Sequence, residues 1–140
     1  MAISRQVLKQ VLYDNQKDIE RYDVLERDFD LDSFPLLLFV GVRRCGKSFL
    51  LYQKIRSMLA SGHSWAEMLY IDFEDTRLEG FSSEDFNLIL ECHQEMYGQR
   101  PMLFLDEVQN IDGWEKFARN LADKKYSVFI TGSNAKMLSR

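Results

Sequence analysis

Eight residues in the first third of the chain, Gly41-Val42-Arg43-Arg44-Cys45-Gly46-Lys47-Ser48, have the spacing GxxxxGK(S/T). Gly41 and Gly46 can take backbone angles closed to residues with a Cβ, so the amides between them can turn inward around an anion. Lys47 adds a mobile cation for β- and γ-phosphates. The Ser48 hydroxyl can ligate magnesium at the start of a helix whose N-terminal dipole also favours phosphate, with Phe49 next along it. A glycine-rich turn with a surface lysine is the plain alternative. It is opposed by the apolar run Leu36-Leu37-Leu38-Phe39-Val40, which enters the loop directly and reads as a buried strand. Arg43 and Arg44 either add positive potential to the loop or face solvent or a partner.

A second group of chemical interest is Asp106-Glu107, which follows the apolar residues Met102 to Leu105. In a phosphate-loop enzyme, a carboxylate at the C-terminal end of a neighbouring strand holds magnesium, directly or through water. Asp106 fits that role, and Glu107 is then placed as general base for the water that attacks the γ-phosphate. Two acids closing a strand could equally be a solvated turn; the intact phosphate loop tips the balance. A GTPase should show DxxG here, but Gln109 stands where that glycine belongs, and no NKxD motif occurs. Adenine nucleotide is therefore the expected ligand. A further strand, Ser127 to Thr131, should insert between the first and third strands and bring Thr131, Ser133 and Asn134 near the γ-phosphate. Ser133 or Asn134 would sense that phosphate, unless Gly132-Ser133-Asn134 is merely a polar turn.

The elements that must position these groups alternate along the chain. Helical stripes are expected at Leu50 to Leu59, closing at Gly62, and at Phe86 to Met96, opened by Ser82 and closed by Gly98. Another surrounds Trp114 to Leu121, with Asp112 as its N-cap. Strands are expected at Leu69 to Phe73 and Pro101 to Asp106. Alternation of this kind predicts a three-layer α/β/α sandwich with a mostly parallel sheet, of the P-loop NTPase type that carries an additional strand and an Asp-Glu pair. Residues 4–27 place Val7, Leu8, Val11, Leu12 and Ile19 at helical spacing, predicting one or two amphipathic helices. The domain reading is a helical extension and linker over 1–34 and a P-loop core over 35–140. Asp28 to Asp32 opens like a calcium loop but fails at Ser33 and Phe39, where glycine and glutamate are needed. His93 reads as a packing or surface residue and His63 as loop.

A chain of 140 residues with 46% hydrophobic and 13% aromatic content can bury a substantial core, which excludes the disordered classes. No apolar run approaches a membrane span or signal peptide, so a cytoplasmic protein is expected. Cys45 and Cys92 lie far apart without CxxC pairing and are expected to stay thiols. A net charge of −4 argues against a surface built wholly for nucleic acid, though a local basic patch would survive that average.

GVRRCGKSFLL, LYIDFED, LFLDEVQNIDGWE and FITGSNAKML together resemble the AAA-type ATPase domain of prokaryotic ATP-binding proteins that carry a further C-terminal domain of uncertain function. The resemblance covers about residues 36–138. It implies that Gly41 to Ser48 are Walker A, Asp106 and Glu107 Walker B, and Ser133-Asn134 the sensor region. By the same resemblance Gln109 is a relay near the site and Trp114 packs the following helix. Family members continue with a fifth strand, a helical region and the C-terminal domain. The fold of this chain is therefore expected to be C-terminally incomplete, without an assignable arginine finger. The first strand would then lie at a sheet edge, favouring self-association, and any protein or DNA partner would be met through the missing region.

The resulting expectation is Mg2+-dependent ATP binding and hydrolysis. Gly41, Val42, Arg43, Arg44, Cys45, Gly46, Lys47, Ser48 and Phe49 would bind ATP or ADP, with Ser48 and Asp106 on the metal. Glu107, Lys47, Asn134 and Ser133 would carry the chemistry. A nucleotide-dependent binding switch with negligible turnover is the alternative. A small-molecule kinase is a third reading, against which stands the lack of an identifiable basic lid.

Overall fold

The computed structural model describes residues 3–21, 36–41 and 47–133. Its elements run α1 (Arg5–Arg21), β1 (Leu36–Gly41), α2 (Lys47–Ala60), β2 (Met68–Asp72), α3 (Phe86–Tyr97), β3 (Met102–Asp106), α4 (Trp114–Asp123) and β4 (Val128–Ser133). The four strands pair in parallel in the order β1-β4-β3-β2. The last of the described strands thus inserts between the first and third, as the additional-strand reading expects.

Near-continuous apolar strands arise because the sheet is covered on both faces. Leu69, Ile71, Leu103, Leu105, Val128 and Ile130 point to one side and pack with residues of α3 and α4, among them Phe86, Ile89, Phe117 and Leu121. Met68, Tyr70, Phe104 and Phe129 point to the other and meet Leu51 and Ile55 of α2. The Phe86 and Phe117 rings stack at 4.4 Å, and Phe104 stacks on Phe129 at 5.0 Å. These are the three layers of an α/β/α sandwich.

Among the described residues one helix, α1, precedes β1, and it packs on β2 and α3. Its first half sends Leu8, Val11 and Leu12 into one core, and its last turn sends Ile19 into the other. The helix therefore spans the β2 edge from face to face and covers backbone groups that an open edge would leave unpaired. Polar contacts fix it there. Arg56 Nη1 donates to the Ile19 and Glu20 carbonyls at 3.2 and 2.7 Å, satisfying the end of the helix. Arg77 reaches Asp14 at 2.6 Å, and Lys9 reaches Glu95 at 2.7 Å.

Several boundaries differ from the sequence reading by small amounts with physical causes. β2 begins and ends one residue earlier than expected. β4 extends to Ser133, because Gly132 and Ser133 continue the ladder against Val40 and Gly41 and so are strand residues, not a turn. Gly113, not Asp112, occupies the N-cap of α4, with φ 87°. A Cβ there would lie 3.0 Å from the Ser83 Cβ, so close approach and a left-handed backbone override the usual preference for a capping side chain. α3 is punctuated as expected. Ser82 N–H bonds the Asp85 carboxylate at 2.9 Å at its start, and Gly98 closes it with φ 72°.

Candidate functional site

Parallel strands put all their C-terminal ends at one edge of the sheet, where open α/β folds bind ligands. Here Gly41 at the end of β1 pairs with Ser133 at the end of β4, and Asp106 at the end of β3 pairs with Asp72 of β2. Residues 42–46 join Gly41 to α2, which opens at Lys47-Ser48. The strand before and the helix after residues 42–46 that the phosphate-loop reading requires are thus present. Lys47 and Ser48 stand at a helix N-terminus, the end whose partial positive charge favours anions. Val42, Arg43, Arg44, Cys45, Gly46 and Asn134, together with the side chains of Lys47, Ser48 and Ser133, lie outside the described residues. Phe49 is half-buried in the first turn of α2.

Asp106 is 1% exposed, and a carboxylate so buried needs hydrogen-bond donors. Two hydroxyls provide them. Thr131 Oγ1 of β4 donates to Oδ1, and the Tyr70 hydroxyl of β2 donates to Oδ2 at 2.5 Å. Each neighbouring strand thus contributes one donor. The Tyr52 hydroxyl of α2 lies 3.4 Å from that of Tyr70, and the two rings meet edge to face. Burial, together with the negative charge of Asp106, holds the Tyr70 phenol well above its ordinary pKa, so it remains a donor.

Glu107, 4% exposed, leaves the strand in a left-handed conformation, φ 55° and ψ 45°, uncommon for a residue with a side chain. Its neighbours maintain that backbone. Its N–H donates to Thr131 Oγ1 at 2.9 Å, and its carbonyl accepts from Asn110 Nδ2 at 3.0 Å. Its carboxylate accepts from Gln109 Nε2 at 2.9 Å. Thr131 therefore joins the two acids, with its hydroxyl directed at Asp106 and its lone pair taken by the Glu107 amide.

Sequence reasoning placed Asp106, Glu107 and Thr131 at the same end of neighbouring strands, and the structure brings them into one hydrogen-bonded group. The reasoning missed Tyr70, which sits in LYIDF as an ordinary β residue; the only signal was a hydroxyl two residues before Asp72, the partner of Asp106 in the ladder. His93 is a packing residue, 1% exposed, with Nε2 donating to the Ala66 carbonyl at 2.7 Å, and burial lowers its pKa. Cys92 is a buried thiol whose pKa burial raises. Asp28 to Asp32 and Cys45 lie outside the described residues. Among the described residues no group of three or more His, Cys, Asp and Glu side chains is arranged to hold a metal ion. No described helix is long and apolar enough to cross a membrane. A cleft of about 400 Å³ opens where the loop after β2 meets Asn110 and Ile111.

The sequence model of a family described as an AAA domain matches residues 33–140, which take in all four strands. A protein of Methanocaldococcus jannaschii, whose name says only that it is uncharacterized, is 34% identical over 141 residues, covering 99% of this chain and 31% of its own length. One from Haemophilus influenzae, named in the same way, is 32% identical over 101 residues, covering 71% of this chain and 25% of its own. The chain thus spans less than a third of the length of these relatives. No solved structure matches. Because that model matches well over half of the chain, a stretch that holds the acidic pair and the inserted strand, the chain belongs to the AAA domain family, whose members are nucleotide-binding, ATPase-like domains.

Proposed function

We propose that this domain binds ATP with magnesium and hydrolyses it, coupling the nucleotide state to a conformational change. The observation that carries this reading is the insertion of β4 between β1 and β3, with the buried pair Asp106-Glu107 at the same end of the sheet as Gly41. In this reading the amides of residues 41–48 and the Lys47 ammonium hold the phosphates, and Phe49 lies beside the nucleotide. Ser133 or Asn134 contacts the γ-phosphate.

Magnesium suits the donor set. It takes hard oxygen ligands, keeps several waters and needs only one or two protein groups in addition to substrate phosphates. Ser48 and Asp106 would be those groups, and the two hydroxyls on Asp106 are neutral donors that do not cancel its negative charge. When bound, the metal would neutralise charge on the β- and γ-phosphate oxygens.

The chemistry balances with the chain's own groups. The water oxygen bonds to the γ-phosphorus while the bond from phosphorus to the bridging oxygen breaks, its electron pair leaving on ADP. Glu107 accepts one water proton. The test is Glu107→Gln, with turnover and ATP affinity measured together. Loss of about a hundredfold or more in turnover is expected, with affinity within about threefold of the parent because Glu107 acts on water and not on the nucleotide. A variant with parental turnover sinks the assignment.

By the resemblance of its sequence blocks, the domain belongs to cytoplasmic ATP-binding proteins of bacteria and archaea with a further C-terminal domain. A protein or DNA partner would engage through that region.

A further inference from the structure

Gln109 is 6% exposed, and the two ends of its amide have unequal environments. Nε2 donates to Glu107 Oε1 at 2.9 Å, whereas Oε1 is buried and accepts from no group among the described residues. The orientation is not arbitrary. An ionised carboxylate can only accept, so the NH2 group must face Glu107 and the carbonyl oxygen must take the other position on the same carbon. A buried acceptor without a donor costs stability, and packing alone would be served better by a methionine of the same length. The turn that carries Gln109 is itself held in place. Glu107 opens it in a left-handed conformation, its N–H on Thr131 and its carbonyl on Asn110.

We propose that Gln109 is a further catalytic residue, using Nε2 to hold the Glu107 carboxylate and Oε1 as the second acceptor for the attacking water; this rests on the hydrolytic reading above. A water molecule has two O–H donors, and the pair Glu107-Gln109 supplies two acceptors of different strength. The O–H directed at Glu107 loses its proton as the oxygen bonds to the γ-phosphorus. The O–H directed at Gln109 keeps its proton, which ends on the released phosphate. The bridging oxygen leaves on ADP with the electron pair of the broken bond. Two fixed acceptors orient both O–H bonds of the water and hence its two lone pairs, one of which must face the γ-phosphorus for an in-line attack.

The experiment compares single-turnover hydrolysis and calorimetric ATP affinity, with magnesium, for the parent, Gln109→Met and Glu107→Gln. Methionine keeps the length and apolar stem of Gln109 and removes both polar atoms. Gln109→Met is expected to match the parent in ATP affinity within about threefold and to melt no lower, yet to hydrolyse about tenfold slower or worse. Gln109→Asn, which keeps the amide but withdraws it by one methylene, should be slowed similarly and serves if the methionine variant does not fold. Rates within about twofold of the parent in either folded variant overturn the role of Gln109. If Glu107→Gln abolishes turnover while Gln109→Met does not, only that role falls. If Glu107→Gln keeps parental turnover, or the parent has none, the hydrolytic reading falls and takes the inference with it.

Discussion

Asp106 shows how a site can be built from side chains that look ordinary one at a time. Its two oxygens are held by Tyr70 from β2 and Thr131 from β4, so the carboxylate is oriented by both strands that flank its own. Partners of this kind set the direction and basicity of a metal ligand, and their loss typically weakens metal affinity by about tenfold or more. Tyr70→Phe keeps the ring against Tyr52 and deletes only the donor. It should raise the magnesium concentration for half-maximal turnover about tenfold, while costing roughly 1 kcal/mol of stability. An unchanged magnesium requirement would mean that Thr131 alone orients Asp106. Asp106 and Glu107 were legible in the sequence only because the phosphate-loop pattern gave meaning to two acids that, closing a strand by themselves, could equally be a solvated turn. Tyr70 was not, because tyrosine is common in strands and its meaning depends on a register that only β-pairing establishes. Gln109 was legible only through a resemblance between sequence blocks; its bond to Glu107 crosses a left-handed backbone that no local pattern announces.

The strands were the most legible elements, since burial on both faces demands continuous apolar runs that a solvated segment would not carry. Their order was legible as well, because an Asp-Glu pair one strand-helix unit beyond the phosphate loop implies an inserted strand. Caps were less so. Asp112 is the better capping residue in isolation, but Gly113 takes the position because α4 begins where Ser83 comes too close for a side chain. Contacts between elements also set a pH response. His93 of α3 donates to the Ala66 carbonyl in the turn before β2 and packs on Tyr97, at 4.8 Å between rings. Burial depresses its pKa below the ordinary value of about 6.5. A group so shifted binds its proton more readily when unfolded. Its contribution is therefore fully present above about pH 6.5 and is lost as pH falls toward the lower folded value. Denaturant titrations should show stability declining below about pH 6.5 in the parent and a flatter profile in His93→Gln. An equal decline in both would place the cause elsewhere. The exposed carboxylates Asp14 and Glu95, held below their ordinary range first by hydrogen bonds from Arg77 and Lys9, lose those pairs only at more acid pH.

Across the molecule, helices on both faces and α1 along the β2 edge leave the C-terminal edge of the sheet as the place where polar groups are gathered. In the proposed function, the loop and the N-terminus of α2 hold the phosphates of ATP at that edge, beside Asp106-Glu107. Calorimetric titration with ATP and magnesium, run on the parent and on Lys47→Ala, is the decisive measurement. The parent is expected to bind ATP, and removal of the ammonium is expected to weaken binding about tenfold or more, since charge-assisted bonds to phosphate are among the stronger ones. Lys47→Ala binding ATP as tightly as the parent would contradict phosphate binding by this loop.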